Sequence, residues 1–379
     1  MAKQKILYFY FKTGGGHFFS AKALAKAVET AYPEAENVLV DGLPPGKSFW
    51  RTVMEDGYRF AVQDWPFLWP MLYNISKLHL IRTFQLFNIQ NVCQRHIEEE
   101  ITKHQATKIV VLHFLLVRPI MNVLKKMKLN IPVLEVVTDP FTVHPFWWHH
   151  KNVKAAVFSE RAKNDAIKYG WKPEYLTVFP IMLRPEFAGS LSPQQIVDKK
   201  KTYDVPMNTP IILLAGGGDG LPNSDRLLLE CEKLNLPAYF LVVTGKNEVQ
   251  KKNLEKMLEN RPDLKKRVKV FGFIDFMFDL MNLADIIVTK GGPATIMEIL
   301  LIGKPPLVMN YIYGQEQGNV DFLLEHKIGD YISNPKKLAH KLRDLLLNPS
   351  ELNAMRKRIQ ALHLSNGTKA VAEWVWKST

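Results

Sequence analysis

Three stretches of this sequence carry residue types that can do chemistry together. The first is Lys290-Gly291-Gly292-Pro293-Ala294-Thr295. Two glycines let a backbone come close to a ligand, and a proline suits the first turn of a helix, where its missing N–H is not needed. The free amides of a helix start attract phosphate. Glu298, about one turn further in, offers a carboxylate for ribose hydroxyls. The second stretch is Gly314-Gln315-Glu316-Gln317-Gly318-Asn319. Amides beside one carboxylate suit a sugar, whose hydroxyls both donate and accept. The third is Thr13-Gly14-Gly15-Gly16-His17. A histidine delivered by a glycine turn to a helix start is kept neutral by the positive helix end, so it can accept a proton. Together these read as a nucleotide-sugar site and a general base.

Strands must carry these stretches. Residues 286–288 are apolar and β-branched, the mark of a buried parallel strand, and they run straight into Lys290. A helix follows with Ile296, Ile299, Leu300 and Ile302 on one stripe, and Gly303 and Pro305 end it. Residues 306–309 form the strand before the amide loop. That loop therefore sits at a strand's carboxyl end, where ligands bind in open α/β sheets. In the first half, residues 6–11 are the strand before His17 and residues 20–30 an Ala-rich helix after it. The turn is not G-x-G-x-x-G, and no Gly-Lys-Ser/Thr follows it, which disfavours a dinucleotide or ATP site.

Other strands are expected at residues 38–41, 108–113, 131–138 and 155–160. The 131–138 strand runs into Thr138-Asp139 and then His144-Pro145-Phe146-Trp147. Asp139 either orients His17 or the acceptor, or caps the turn that follows. His149 and His150 are adjacent, diverge, and read as surface. Breakers at Pro180 and Pro185 place a linker within 179–187. The α/β pattern then restarts. A strand at 210–214 enters Ala215-Gly216-Gly217-Gly218-Asp219-Gly220, and strands follow at 238–244 and 268–271. Residues 335–376 read as helical with one break near Ser365-Asn366-Gly367. Strands alternating with helices argue for parallel sheets covered on both faces.

Residues 43–95 are dense in aromatics, among them Phe49, Trp50, Tyr58, Phe60, Trp65, Phe67, Trp69, Tyr73, Phe84 and Phe87. Arg51, Arg59, Lys77, Arg82 and Arg95 lie between them. The composition fits an interfacial amphipathic segment, and equally a helical insertion packed on the sheet.

The chain has 379 residues, enough for two domains, and a formal charge of +13. That excess favours anionic partners. The basic residues are scattered and no nucleic-acid motif appears, so no nucleic-acid partner is expected. No apolar run approaches the roughly 18 residues of a membrane span, and the N-terminus does not read as a signal peptide. Cys93 and Cys231 match no metal spacing. There is no Asp-x-Asp pair, so neither a donor-bound metal nor a cofactor is expected.

Residues 290–319 resemble the donor segment of the GT-B glycosyltransferases that move sugar from UDP-sugar to diacylglycerol. These are the monogalactosyldiacylglycerol synthases and processive diacylglycerol glucosyltransferases, relatives of the N-acetylglucosaminyltransferase that makes lipid II. The glycine turn before His17, the Thr138-Asp139…His144-Pro145-Phe146-Trp147 segment and the Ser159-Glu160 cap are similar too. The resemblance implies two Rossmann-like domains facing across a cleft. The first is 1–183, rejoined by a final helix at about 362–379, and the second is 184–361. His17 matches the family's proposed base, and Asp139 joins it as catalytic. Donor contacts fall on Gly16, Gly217 and Gly218, on Phe273 and Ile274 around the uracil, and on Gly292, Pro293, Ala294, Thr295 and Glu298. Gln315, Glu316, Gln317 and Asn319 complete them, with Gln315 and Glu316 on the hexose. The acceptor and membrane side falls on Trp50, Trp65, Trp69, His144 and Trp147. The implied reaction is inverting transfer from UDP-glucose or UDP-galactose to 1,2-diacylglycerol. It would take place on an anionic membrane surface, peripheral to the cytoplasmic face of the cell membrane. Transfer of N-acetylglucosamine as in lipid II synthesis, and UDP-sugar epimerisation, remain the alternative readings.

Overall fold

A computed structural model describes residues 4–12, 16–46, 51–57, 60–61, 65 and 67–379. Thr13, Gly14, Gly15, Phe49, Trp50, Tyr58 and Arg59, and the side chains of Arg82, Phe84 and Phe87, lie outside the described residues.

Two compact units appear. One comprises Met1–Pro185, Tyr313–Gln315 and Asn366–Thr379, the other Glu186–Ile312 and Glu316–Ser365. Each is built on a six-stranded parallel sheet. The first sheet has strands β1 (Lys5–Tyr10), β2 (Glu36–Asp41), β3 (Lys108–Val111), β4 (Val133–Val136), β5 (Lys154–Val157) and β6 (Leu176–Val178). Their spatial order is β2-β1-β3-β4-β5-β6. The second sheet has β7 (Ile211–Ala215), β8 (Tyr239–Val243), β9 (Val268–Phe271), β10 (Ile286–Lys290), β11 (Pro306–Asn310) and β12 (Asp330–Tyr331). Its order is β12-β11-β10-β7-β8-β9. Strands covered on both faces need no polar alternation, which is why β3 and β7 read as continuous apolar runs.

Both orders reverse once. The first sheet reverses between β1 and β3, the second between β7 and β10. At such a switch point the following loops part to opposite sides and leave a crevice beyond the carboxyl ends. In the first unit, helices α1 (Gly16–Ala31), α2 (Trp69–Ser76), α3 (His79–His104), α4 (Phe114–Met127) and α5 (Glu160–Lys168) accompany the sheet. The second carries α6 (Pro193–Thr202), α7 (Ser224–Lys233), α8 (Glu248–Glu259), α9 (Pro262–Lys265), α10 (Met277–Leu283), α11 (Pro293–Leu301), α12 (Gln317–Glu325), α13 (Pro335–Leu347) and α14 (Pro349–Ala361). The final helix, α15 (Thr368–Lys377), belongs to the first unit. The C-terminal helical stretch, expected with one break, is interrupted twice. The additional break falls at Asn348, where Pro349 cannot continue a helix but readily starts one.

Helix α15 is held by polar contacts as well as by packing. Asn366 Oδ1 accepts from Leu183 N, while its amide donates to the Leu183 and Arg184 carbonyls. Buried Lys108 donates to the carbonyls of Val375 and Trp376 at 2.7 and 2.8 Å, closing the helix's negative end. A Cβ on Gly367 would stand 1.9 Å from the Pro180 carbonyl oxygen, a backbone atom that cannot swing aside. Gly367→Ala is therefore expected to cost at least about 2 kcal/mol and to release the last helix early in denaturant. Chemical denaturation followed through the Trp374 and Trp376 fluorescence measures it, and an unchanged midpoint would refute the close fit.

Candidate functional site

In the first unit the switch point is lined by imidazoles. The helix that follows β1 in the chain is α1, whose second residue is His17. Its ring is 9% exposed, and Nδ1 hydrogen-bonds Thr138 Oγ1 at 3.1 Å. Burial lowers its pKa to about 4, against a hydrogen bond to the Leu112 backbone that raises it. The side chain is neutral at physiological pH, with burial as the main cause. β3 leads to His113, whose ring meets that of His17 edge to face at a centroid distance of 4.6 Å. Burial drives the His113 pKa well below its ordinary value, and the neighbouring His17 adds to this.

Asp139 lies after β4, and its pKa is pushed up to about 6 by burial, opposed by a hydrogen bond from Trp147. That bond is Trp147 Nε1 to Asp139 Oδ2, at 2.9 Å. The carboxylate thus faces an indole, and the partner of His17 is Thr138. Sequence reasoning passed over Thr138 although it stood beside Asp139 at the strand's end. The acceptor-side expectation needs correction at Trp147, which is 1% exposed and part of the core. It shapes the wall around His17 at 6.3 Å and cannot touch a membrane. His144 is buried too, with Nδ1 accepting from Phe146 N and Nε2 3.0 Å from Ser76 Oγ. His150, expected at the surface, is half-buried: its Nε2 is covered and has no partner, and burial lowers its pKa to about 4.

Trp65 and Trp69 behave differently from Trp147. Trp65 is exposed beside Phe60 and Phe67, and Phe67 is 72% exposed. Trp69 is half-buried at the start of α2. Tyr73 and Ser76 anchor α2 on His144, and Met71, Leu72, Ile75 and Leu78 point outward. Among the described residues no helix is long and apolar enough to cross a membrane.

In the second unit the switch point is made of backbone. After β7 a tight turn spans Gly217–Asp219. A Cβ on Gly216 would lie 2.2 Å from the Gly220 carbonyl oxygen, and one on Gly245 would lie 2.3 Å from that of Gly218. Lys246 N donates to the Gly218 carbonyl at 2.7 Å, so the loops after β7 and β8 interlock. Gly217 and Gly218 face open space. After β10, Gly292 precedes α11 with Pro293 at its first position and no side-chain cap. The amides of Ala294 and Thr295 are first-turn donors with no acceptor within the helix. Glu298 is on the buried side of α11. Phe273 is 65% exposed, with the Lys246 ammonium 5.7 Å from its ring centre, and Ile274 is half-buried.

The amide loop is more structural than its composition implied. Asn319 is buried and donates to the Gly291 carbonyl at 2.7 Å, so it shapes the glycine turn from behind. Gln317 donates to Asp321 on its own helix at 2.8 Å. Gln315 is half-buried. Glu316 Oε2 accepts from Ile312 N at 2.8 Å, and its carboxylate lies against Gly291 and Gly292. Gly16, placed with the donor contacts, opens α1 in the first unit with clear space beside it. Among the described residues no three His, Cys, Asp or Glu side chains gather as a metal would need.

Residues 17–182 match the family model of monogalactosyldiacylglycerol (MGDG) synthase, and residues 211–371 match the glycosyltransferase family 28 C-terminal domain. The chain thus carries an MGDG synthase domain followed by a glycosyltransferase family 28 C-terminal domain. The chloroplastic MGDG synthase of Spinacia oleracea is 29% identical over 346 residues, covering 89% of this chain and 65% of its own. MGDG synthase 1 of Arabidopsis thaliana is 27% identical, over 90% of this chain and 64% of its own. The chain thus spans a little under two thirds of these relatives. Acinetobacter baumannii MurG is similar in fold, with a TM-score of 0.63 and 14% identity over 99% of each chain. So is Anabaena HepE, solved in complex with UDP-glucose, with a TM-score of 0.56 and 13% identity over 99% of this chain and 98% of its own.

Within this site, Asp139 makes a prediction about pH. Its folded pKa of about 6 lies above its ordinary 3.8. The folded state therefore holds the proton more tightly, and its contribution to stability is present below 3.8 and lost as pH rises through 6. Asn cannot ionise and still accepts from the Trp147 indole. Asp139→Asn should gain stability over the wild type by about 2–3 kcal/mol between pH 4 and pH 7. Thermal melts of both proteins at the two pH values test this, and a constant difference between them would contradict it.

Proposed function

We propose that this chain transfers a hexose, glucose or galactose, from its UDP derivative to the free hydroxyl of 1,2-diacylglycerol with inversion. The acceptor oxygen bonds to the anomeric carbon as that carbon's bond to the diphosphate oxygen breaks. The acceptor proton goes to His17, and UDP departs. In this reading Nδ1 carries the ring proton and donates to Thr138 Oγ1, which leaves Nε2 as the nitrogen that takes the acceptor proton. UDP is assigned to the second unit. The Gly217–Gly218 backbone and the α11 amides meet its diphosphate, as preorganised donors do. Phe273 and Ile274 flank the uracil, and Glu316 reads a hexose hydroxyl. In this reading backbone amides neutralise the leaving group, and no metal is assigned a role.

The observation that carries the proposal is His17: a buried, neutral imidazole at a switch point, in a chain that carries an MGDG synthase domain. Membrane action is supported by the exposed row of Phe60, Trp65, Phe67, Met71 and Leu78, and by the +13 charge. In this reading the enzyme acts peripherally on a leaflet that carries anionic lipid, on the cytoplasmic face.

The test is incubation of the purified protein with vesicles of diacylglycerol and anionic phospholipid, separately with UDP-glucose, UDP-galactose and UDP-N-acetylglucosamine. Thin-layer chromatography should show a monoglycosyldiacylglycerol with one of the two hexoses. No glycolipid from either hexose donor would overturn the reading, and product from the third donor alone would favour the lipid II type of acceptor chemistry.

A further inference from the structure

His113 is an uncommon choice to begin a helix. Short side chains such as Asn, Asp, Ser and Thr are preferred there, because they reach a first-turn amide easily. At the start of α4 an imidazole does this work: His113 Nδ1 accepts from Leu115 N at 3.3 Å. A neutral imidazole has one accepting nitrogen and one N–H. With Nδ1 accepting, the proton must be on Nε2. An ordinary cap has no such spare donor.

His144 shows the same arrangement with its spare donor used. There Nδ1 accepts from Phe146 N, and Nε2 meets Ser76 Oγ at 3.0 Å. For His113, Nε2–H has no hydrogen-bond partner among the described residues. The ring is 3% exposed and cannot turn freely. It is stacked on Phe114 at 4.4 Å, meets Phe11 at 4.7 Å, and lies edge to face with His17. Topology adds an independent reason for attention. His17 follows β1 and His113 follows β3, the two strands between which the first sheet reverses. A ligand in that crevice meets both loops.

We infer that His113 is a second contact for the acceptor alcohol, its Nε2–H donating to the attacking hydroxyl oxygen while His17 takes the hydroxyl proton. This rests on the glycosyl-transfer reading given above. The oxygen uses one lone pair to bond the anomeric carbon and the other to accept from His113. His113 neither gains nor loses a proton, and its role is to fix the direction of that oxygen. A donor aimed at an oxygen that must approach within bonding distance acts by orientation, and misplacement is costly to rate.

Three variants separate this role from that of a helix cap. Asn places its carboxamide near Nδ1, so His113→Asn keeps the cap and loses the distal donor. Gln places an N–H near Nε2, so His113→Gln keeps the donor and loses the cap. His113→Ala loses both. The expected result is that Asn recovers the melting temperature lost in Ala while kcat stays at least about tenfold below wild type, a rise of about 1.4 kcal/mol in the barrier. Gln should recover kcat relative to Asn while its melting temperature stays low. If kcat follows melting temperature through all three, His113 is a cap only and the inference is wrong. A second readout needs no turnover. In long-range proton–nitrogen spectra of ¹⁵N-histidine-labelled wild-type protein, His113 should show the neutral Nε2–H tautomer. The Nδ1–H tautomer in an active wild-type protein would overturn the His113 assignment alone. A wild-type protein that glycosylates no diacylglycerol would overturn the reading beneath it.

Discussion

His17→Ala should lower kcat for hexose transfer by about 10²–10⁴-fold, the usual worth of a positioned general base. Affinity for UDP should stay within about twofold, because the groups assigned to UDP belong to the other unit. The geometry explains why the loss should fall on kcat. The imidazole is anchored to Thr138 at 3.1 Å and enclosed by His113 and Trp147, so it is oriented before the acceptor arrives. Its pKa of about 4 means that it is already unprotonated at neutral pH. The acid limb of kcat/KM should therefore lie below that of a free imidazole, near 6.5. Calorimetry with UDP beside single-turnover rates measures both halves of the expectation. Retention of more than about a tenth of kcat with intact folding would exclude His17 as the base.

Glu316→Ala is expected to cut kcat/KM for UDP-hexose by about 10–10²-fold, as loss of a hydrogen bond to a charged group does. Binding of UDP itself should change far less. The carboxylate ties the loop to itself through Ile312 N and lies against Gly291 and Gly292. Ala removes both the tie and the acceptor, whereas Glu316→Gln keeps one accepting oxygen, enough for the tie to Ile312 N, and sets an amide N–H in place of the other. Gln should therefore retain more activity than Ala. Comparing affinities for UDP and UDP-hexose isolates the sugar's share. If the ratio of the two affinities is the same in wild type and Glu316→Ala, the carboxylate does not read the hexose.

The strands and glycine turns were legible because their physics is local. A strand buried on both faces is a short apolar run, as in β3, β7 and β10, and Pro293 marks a helix start in any context. Trp147 was misread because an aromatic has no direction in a sequence. Its position in the core depends on contacts with elements far along the chain. Asn319 was misread for a related reason. A polar side chain near glycines serves a ligand or the turn itself, and only the bond to the Gly291 carbonyl distinguishes the two. Thr138 and His113 were visible as strand-end residues. What the sequence did not carry was the strand order that sets β1 and β3 side by side.

The interlocked loops of the second unit have a consequence for any survey of substitutions. Gly216 and Gly245 face backbone oxygens at under 2.5 Å from a would-be Cβ, whereas Gly218, in the same knot, faces nothing. Changes at the first two should deplete folded protein in a cell. Changes at Gly218 should leave abundance intact and silence turnover. Glycines a few residues apart would then sort into different columns of a mutational scan, one reporting on whether the molecule persists and the other on whether it works.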